Sequence, residues 1–292
     1  MDLLSIADLG DAQIERLLAE AERHFSRRDD QRPLAGKTVV HLFFEDSTRT
    51  LVSFDLAARR LGAESVVVPV RRSSVSKGET LEDTARTLAA MGVDAMVVRH
   101  GETGAPRRIA ETVECPIVNA GDGVGEHPTQ ALLDAATIRR HFGSCSGLQI
   151  AICGDVRHSR VARSNRLVLE RLGARVTLSG PPELMPDGAA ATPIDKAIAG
   201  ADVVMMLRVQ RERLDSELGD APGEYLKRYG LTRQRLALAP SHAVVMHPGP
   251  INRGVEIEDA VADDPQRSLI LTQVRMGVAM RMACLEMVCA GR

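Results

Sequence analysis

Short apolar runs rich in β-branched residues alternate with helical segments along most of the chain, and this alternation constrains the fold more than any other feature. The first four runs are KTVVHLFF, SVVVPV, DAMVV and CPIVNA, and each precedes a stretch with the period of a helix. The rhythm begins again at LQIAICG and continues through RVTLSG, DVVMML and HAVVMHPGP. Such alternation predicts an α/β fold in which each half is a parallel sheet flanked by helices.

The chain is long enough to form two such sheets. Its 292 residues exceed the usual length of one domain. Gly and Ser cluster in HFGSCSG, residues 141–147, between the two series of apolar runs. We therefore expect an N-terminal domain over residues 1–140 and a second domain over residues 147–272. The final helical pattern, from about residue 266 to residue 290, precedes no further strand, and its apolar positions suit packing on either domain.

The composition excludes several classes of protein. The formal net charge is −2, from 37 basic and 39 acidic residues, so no overall field attracts nucleic acid or anionic lipid. Trp is absent, which disfavours base stacking, and no apolar run approaches the ~20 residues that cross a bilayer. The five cysteines form no C-x-x-C pair. We therefore expect a cytoplasmic protein with buried thiols that binds neither nucleic acid nor membranes.

The octapeptide FFEDSTRT, residues 43–50, occupies the end of the first apolar run, where a helix should begin. In a parallel sheet, ligands bind beyond the carboxyl ends of the strands, and a helix N-terminus attracts anions. Ser47, Thr48 and Thr50 add hydroxyl donors, and Arg49 adds a planar guanidinium that suits phosphate oxygens. An ordinary helix cap needs only one hydroxyl. The octapeptide therefore predicts a phosphate site, with its two acidic side chains pointing away from that site.

Two further stretches should lie at the same edge of the sheet. Arg99 and His100 follow DAMVV, and NAGDGVGEHPTQ follows CPIV. The glycines of the second stretch permit unusual backbone angles, and Pro128 suits the first turn of a helix. His127 and Gln130 are three residues apart, so they share one face at the start of that helix. The histidine has either a structural or a catalytic role, and the residues alone leave both open.

The loop RRSSVSKGET, residues 71–80, carries Ser73, Ser74 and Lys77 before a glycine. Such a loop is either a solvated connection or a lid that closes over an anionic substrate. Its single lysine would supply one positive charge to that substrate.

Arginines follow two strands of the second series. Arg160 lies in ICGDVRHSR, and Arg208 follows DVVMML. Because Arg binds carboxylates through paired hydrogen bonds, these two residues indicate a carboxylate site. The turn after LQIAICG lacks the G-x-G-x-x-G fingerprint of dinucleotide binding, and neither a P-loop nor H-E-x-x-H occurs. We expect no cofactor and no metal.

Together these stretches resemble the aspartate/ornithine carbamoyltransferase family. FFEDSTRT is similar to the family signature F-x-[EK]-x-S-[GT]-R-T. KGETLEDT, VVRH, NAGDGVGEHPTQ, GDVRHSR, LRVQRER and MHPGPINRGVE resemble further family segments in the same order and spacing, from residue 40 to residue 280. HPGPINRGVE is similar to the branch that uses aspartate, whereas the ornithine branch typically has H-C-L-P there. The lid has Ser76 and Lys77 where the family often has two lysines.

The resemblance implies transfer of the carbamoyl group of carbamoyl phosphate to the amine of L-aspartate, which gives N-carbamoyl-L-aspartate and phosphate in pyrimidine biosynthesis. It implies that residues 1–140, completed by a C-terminal helix at about residues 275–292, bind carbamoyl phosphate and that residues 147–272 bind aspartate. It also implies a homotrimer, and it admits regulatory chains or a dihydroorotase as partners. Use of ornithine and a catalytically silent homologue remain alternatives.

The first group of residues that match functional positions of the family binds carbamoyl phosphate. By resemblance, the hydroxyls and the arginine of FFEDSTRT hold the phosphate. Thr50, Arg99 and His127 surround the carbonyl oxygen, while Gln130 and the backbone at Gly249 and Pro250 hold the amide. The group comprises Ser47, Thr48, Arg49, Thr50, Arg99, His127, Gln130, Gly249 and Pro250.

The second group binds aspartate. By resemblance, Arg160 and Arg208 take the two carboxylates, with Gln210 nearby. Lys77 and one of Ser73 or Ser74 enter the site from a neighbouring subunit. The predicted catalytic residues drawn from both groups are Thr50, Lys77, Arg99 and His127.

Overall fold

Two compact units make up the protein, whose computed structural model describes residues 1–26, 31–70, 78–209 and 223–290. Unit 1 comprises Met1–Ala136 and Val274–Arg292, and unit 2 comprises Thr137–Gln273. Each unit contains a four-stranded sheet in which the strands pair in parallel. The predicted α/β fold, with one parallel sheet in each half of the chain, is therefore confirmed.

The sheet of unit 1 has the strand order β2-β1-β3-β4. Val39 and Val40 on β1 and Val97 on β3 are at most 1% exposed, as expected for central parallel strands with helices on both faces. The elements from the first helix to the end of this series are α1 (Asp11–Ser26), β1 (Thr38–Phe43), α2 (Thr48–Arg60), β2 (Glu64–Val68), α3 (Leu81–Ala90), β3 (Ala95–His100), α4 (Ala105–Ala110), β4 (Ile117–Asp122) and α5 (Pro128–Phe142).

The sheet of unit 2 has the order β6-β5-β7-β8. The sequence predicted its strands and two of its helices, from the helical patterns at residues 159–172 and near residues 193–199, but it did not predict the three short helices near the end of the described part of the unit. Its elements are β5 (Gln149–Cys153), α6 (Arg160–Arg171), β6 (Arg175–Ser179), a 3₁₀ turn (Pro182–Leu184), α7 (Ile194–Ile198), β7 (Val203–Met206), α8 (Glu224–Tyr229), α9 (Arg233–Leu236), β8 (Val244–Met246) and α10 (Asp259–Ala262).

The last helix, α11 (Ile270–Cys289), packs on unit 1. The guanidinium of Arg275 lies 4.2 Å from the ring centre of Phe25 on α1, and that of Arg281 lies 5.1 Å from the ring centre of Phe54 on α2. Packing of the C-terminal helix on the N-terminal half is therefore confirmed. The helix begins four residues later than predicted because Leu269 N donates to Val245 O of β8, which extends the chain beside that strand.

The five cysteine thiols are buried, as the sequence predicted. Burial raises the pKa of the Cys153 and Cys284 thiols to about 12, so both remain protonated near neutral pH. The buried cysteines are Cys115, Cys145, Cys153, Cys284 and Cys289. Among the described helices, none has the length and apolar character needed to span a bilayer.

Candidate active site

Three adjacent strands of unit 1 bring the predicted phosphate-site residues to one edge of the sheet. β1 pairs with β3, and β3 pairs with β4, so their carboxyl ends are neighbours. Phe43 on β1 is in register with Arg99 on β3, and Phe44 N donates to Arg99 O over 2.9 Å. His100 is paired with Asp122 at the end of β4. The chain therefore leaves this edge three times, towards α2, α4 and α5.

The N-terminus of α2 carries the hydroxyls and the arginine of FFEDSTRT. Ser47 is the N-cap residue, with an extended backbone (φ −159°), but its side chain makes no capping hydrogen bond. Instead, Ser47 Oγ donates to Thr50 Oγ1 over 3.0 Å. Thr48 and Arg49 are exposed in the first helical turn. The excess hydroxyls thus do not serve as an ordinary cap, and they lie beside N–H groups that a helix cannot pair internally.

Arg99 lies near the end of β3 and is 9% exposed. Its Nη1 donates to Ala120 O over 3.0 Å, which fixes the guanidinium across the end of β4. Its Nη2 lies 3.4 Å from Oε1 of Glu45. Glu45 therefore points towards Arg99, whereas the sequence predicted only that the acids of FFEDSTRT point away from the phosphate site. The physical reason is that a mostly buried guanidinium needs a nearby negative charge, and Glu45 supplies it.

Asp122 organises the turn between β4 and α5. Its carboxylate accepts hydrogen bonds from Gly104 N (2.7 Å), Asn119 Nδ2 (3.0 Å) and Glu126 N (2.8 Å). A Cβ at Gly125 would lie 2.8 Å from both oxygens of that carboxylate, so only glycine fits there. Sequence reasoning missed the role of Asp122, although its place among three glycines was the available signal. These hydrogen bonds hold the turn that leads from β4 to the first residues of α5.

His127 and Gln130 stand at the start of α5, where Gln130 N donates to His127 O over 3.0 Å. Both side chains are buried, with 4% and 8% exposure. The Gln130 side chain is fixed from within the helix because its Nε2 donates to Asp134 Oδ1 over 3.0 Å. Asp134 was not predicted to belong to the site, although its i+4 spacing from Gln130 would have suggested it.

His100, which the sequence placed beside Arg99, is engaged in a local turn. Its Nδ1 accepts a hydrogen bond from Glu102 N over 2.9 Å, and its ring centre lies 5.0 Å from that of Phe44. Desolvation by burial lowers the pKa of His100 despite the opposing charge of Glu102. The imidazole is therefore neutral near pH 7, and its contacts indicate a structural role.

In unit 2, the loop after β5 is held by Asp155. Its Oδ1 accepts from His158 N (3.2 Å) and lies 2.8 Å from His158 Nδ1. Ser159 then caps α6, since its Oγ accepts from Ala162 N over 3.1 Å. Arg160 is the first residue of α6 and is half-buried. A positive side chain thus lies at the carboxyl edge of this second sheet, as the sequence predicted.

Arg208 follows β7 at the same edge and is exposed. Leu207 N donates to Cys153 O over 2.7 Å, which extends the pairing of β7 with β5 up to this arginine. The next residue, Val209, accepts a hydrogen bond at its carbonyl from Asn252 Nδ2 over 2.6 Å. The segment that carries Arg208 is therefore joined both to the end of β5 and to the loop after β8.

The loop after β8 contains Gly249 and Pro250, and a buried histidine shapes it. Gly249 N donates to His247 Nδ1 over 2.7 Å, so the proton of the neutral ring lies on Nε2. That atom lies 3.1 Å from Oε1 of Glu256, and both side chains have 0% exposure. The same Glu256 oxygen accepts from Asn252 N over 2.6 Å. Gly249 has φ +67° and is joined to Pro250 by a cis peptide bond.

Four predicted positions lie outside the described residues: Ser73, Ser74, Lys77 and Gln210. Within the described ranges, one group of side chains has the spacing of metal ligands, namely Glu20, His24 and Glu286. Glu286 Oε2 already lies 3.0 Å from His24 Nε2 and 3.2 Å from Arg23 Nη2. The charge of Arg23 opposes a cation there, so this group on α1 and α11 is better described as an ion-pair network.

Two family models match the chain. The model of the aspartate/ornithine carbamoyltransferase carbamoyl-P binding domain matches residues 1–140, and the model of the Asp/Orn binding domain matches residues 146–288. Among solved structures, aspartate transcarbamoylase from Trypanosoma cruzi in complex with carbamoyl aspartate and phosphate has a TM-score of 0.85 and 34% identity. That alignment covers 97% of this chain and 94% of the other.

Ornithine carbamoyltransferase from Pyrococcus furiosus has a higher TM-score of 0.89 at 27% identity, covering 100% of this chain and 97% of the other. The backbone therefore does not separate the two branches. Sequence identity favours one of them: the aspartate carbamoyltransferase catalytic subunit of Granulibacter bethesdensis is 54% identical over 294 residues, 97% of this chain and 93% of that protein. The corresponding protein of Rhizorhabdus wittichii is 55% identical over 296 residues, with the same coverage.

Matches of this extent, covering both halves of the chain in the expected order, show that the protein belongs to the aspartate/ornithine carbamoyltransferase family.

Proposed function

We propose that this chain is the catalytic chain of an aspartate carbamoyltransferase. It transfers the carbamoyl group of carbamoyl phosphate to L-aspartate, giving N-carbamoyl-L-aspartate and phosphate, an early step of pyrimidine biosynthesis. Its relatives at 54% and 55% identity are named for this activity. The observation that carries the proposal is the set of surplus hydroxyls at the N-terminus of α2, where Ser47 bonds Thr50 instead of capping the helix.

Unit 1 is proposed to bind carbamoyl phosphate. The first turn of α2 offers the phosphate three hydroxyls, backbone N–H groups and the Arg49 guanidinium, a combination suited to a dianion. Arg99 and His127 donate to the carbonyl oxygen together with Thr50, and Gln130 with the backbone at Gly249 and Pro250 holds the amide. Because Glu45 lies 3.4 Å from Arg99, an incoming substrate competes with this carboxylate for the guanidinium.

Unit 2 is proposed to bind aspartate. Arg160 and Arg208 suit the two carboxylates of this substrate, whereas Arg208 would repel the cationic side chain of ornithine. Gln210 is assigned beside Arg208, and Lys77 is assigned to the same substrate from a neighbouring subunit. In this proposal residues 1–140 with 275–292 form the carbamoyl-phosphate domain and residues 147–272 form the aspartate domain.

The reaction needs no covalent enzyme intermediate. The free amine of aspartate attacks the carbamoyl carbon, and the carbonyl oxygen becomes an oxyanion as the new C–N bond forms. The C–O bond to phosphate then breaks, and the departing phosphate accepts the proton that the amine loses. Thr50, Arg99 and His127 act as donors to the oxyanion, and removal of one such donor typically costs about 100-fold in rate. His127 is assigned as a donor, not as the base.

A colorimetric assay for the ureido group tests the function directly. The purified protein, given carbamoyl phosphate and either L-aspartate or L-ornithine, should form the ureido product from aspartate and none from ornithine. The two dicarboxylate-binding arginines are the physical reason for this preference. Product from ornithine alone would assign the chain to the other branch, which the close backbone match to the Pyrococcus furiosus enzyme allows. Absence of product from both amino acids would identify a silent homologue.

We also propose that the active chain is a homotrimer. Edge strand β2 and the neighbouring helix α2 expose large apolar side chains: Val52 (48%), Leu56 (38%), Val66 (42%) and Val67 (44%). The two elements are in contact, since Ser65 Oγ donates to Asp55 Oδ1 over 2.6 Å. An exposed edge strand with apolar side chains is typically covered by another chain, and a second copy of this protein is the proposed partner. Regulatory chains, a dihydroorotase and a cytoplasmic location stay predictions.

Subunit mixing tests the shared site. Lys77→Ala and Arg49→Ala should each inactivate the protein, because each removes one side of a site built from two subunits. After the two variants are dissociated and reassembled at equal concentrations, about a quarter of the sites should combine an intact Arg49 with an intact Lys77 from the neighbour. Turnover should recover to about that fraction of the wild-type value. Mixtures that never regain turnover would show that Lys77 acts within its own subunit.

A further inference from the structure

The orientation of the Gln130 amide is determined by a residue that has no place in the activity described above. Gln130 Nε2 and Asp134 Oδ1 are 3.0 Å apart on α5, and Asp134 has 0% exposure. An ionised carboxylate accepts hydrogen bonds and donates none. The Gln130 amide must therefore turn its NH₂ group towards Asp134, which leaves its carbonyl oxygen, Oε1, facing the other way.

A buried cation belongs to the electrostatic surroundings of Asp134. Arg281 on α11 is 4% exposed, donates through Nη1 to Gly277 O over 3.1 Å and lies over the ring of Phe54. Desolvation by burial lowers the pKa of Arg281 to about 10, against the opposing effect of Asp134, so the guanidinium stays charged near neutral pH. The positive charge of Arg281 is thus available to balance the negative charge of an acceptor on α5.

Arg49 and Arg99 belong to the same electrostatic neighbourhood, since both lower the pKa of Arg281. The Cys284 thiol remains neutral, because burial raises its pKa to about 12. Among the described residues, the groups that act on the charge of Arg281 include Asp134, Arg49, Arg99 and the neutral Cys284 thiol. Asp134 is the hydrogen-bond acceptor that fixes the orientation of the Gln130 amide.

From this geometry we infer that Asp134 is a positioning residue that makes the site selective for a carbamoyl group over an acyl group. The inference rests on the proposed function, since it takes carbamoyl phosphate as the ligand. The carbamoyl NH₂ donates a hydrogen bond to Gln130 Oε1, which Asp134 holds in the accepting orientation. The methyl group of acetyl phosphate has no proton to donate and leaves that buried oxygen unpaired. A glutamine whose amide could rotate freely would discriminate poorly between carbamoyl phosphate and acetyl phosphate, because its carbonyl oxygen would not be held towards the substrate.

The test compares the two phosphates in wild type and in Asp134→Asn. The asparagine amide can donate to Gln130 Oε1 and so occupy the oxygen meant for the substrate. The value of kcat/KM for carbamoyl phosphate should fall about tenfold, whereas the inhibition constant of acetyl phosphate should stay within about twofold of wild type. Equal losses for both phosphates would indicate a purely structural role, and unchanged values for both would also overturn the inference.

A double-mutant cycle separates action through Gln130 from any other effect. In a Gln130→Ala background, Asp134→Asn should cause no further loss of selectivity, because the amide that it orients is gone. A full additional tenfold loss would overturn the inference. If Asp134→Asn does not fold, the double variant Asp134→Leu with Arg281→Met removes both buried charges together and should show the same loss of selectivity.

The same experiments keep the two proposals apart. Wild-type protein that forms no product from carbamoyl phosphate would reject the proposed function itself. Wild-type protein that is active, with an Asp134→Asn variant that keeps the wild-type ratio between the two phosphates, would reject only the role of Asp134.

Discussion

Arg49→Ala should lower kcat/KM for carbamoyl phosphate by about 1000-fold, the largest effect that we expect from one substitution in unit 1. The variant loses a charge-assisted, two-pronged contact to the phosphate at the point where negative charge grows as the C–O bond breaks. Steady-state rates at saturating aspartate, with carbamoyl phosphate varied, provide the measurement. Because Arg49 is exposed in the first turn of α2, circular dichroism and thermal unfolding should match those of the wild type.

Arg60→Ala is the matched control for this change. Arg60 is an exposed arginine in the last turn of the same helix, so its removal alters net charge by the same amount at the opposite end. Its kcat/KM should remain within about twofold of wild type, as is usual for surface substitutions. Near-normal turnover by Arg49→Ala would remove the basis for the phosphate site at the N-terminus of α2.

Arg208→Ala should raise the KM for aspartate by about 100-fold, because a carboxylate would lose its paired guanidinium contact. The binding of inorganic phosphate, measured by titration calorimetry, should not change, since the substitution is confined to unit 2. The KM for aspartate of Arg208→Lys should lie between the values for Arg208→Ala and for the wild type, because lysine keeps the charge but loses the planar guanidinium. The measurement is the rate as a function of aspartate at saturating carbamoyl phosphate.

Arg175→Ala serves as the control in unit 2. Arg175 is exposed at the amino end of β6, whereas Arg208 follows the carboxyl end of β7. Its KM for aspartate should equal the wild-type value within error. An unchanged aspartate KM in Arg208→Ala would place the carboxylate site elsewhere in the molecule.

The strand-and-helix rhythm was sufficient to predict both sheets, because parallel strands buried on two faces must be continuous apolar runs. The same logic predicted that Arg99 and the residues around Ser47 would meet, since adjacent parallel strands end at one edge. The start of α11 was less predictable. Its preceding residues have a helical pattern, yet Leu269 N donates to Val245 O, and a pairing so distant in sequence leaves no local signal.

The partners of buried charged residues were also not predictable from the sequence. The position of Glu45 beside a predicted anion site has no explanation in the sequence, whereas in the structure its Oε1 lies 3.4 Å from Arg99 Nη2. Asp134 and Arg281 are 147 positions apart in the numbering, and in the sequence each is a charged residue flanked by apolar residues of its helix. Only the packing of α11 against α2 and α5 makes them electrostatic neighbours beside the Gln130 amide.

The position of α11 also has a consequence for the order in which the protein is made. Unit 2, Thr137–Gln273, is continuous, so all of it has been translated before α11 is complete. The side chains of Met276, Met280 and Leu285 have 0% exposure, and they leave the ribosome only after the whole of unit 2. A nascent chain therefore carries an uncovered apolar surface on α1, α2 and α5 until α11 has been synthesised. The unit that is synthesised first is the unit that is completed last.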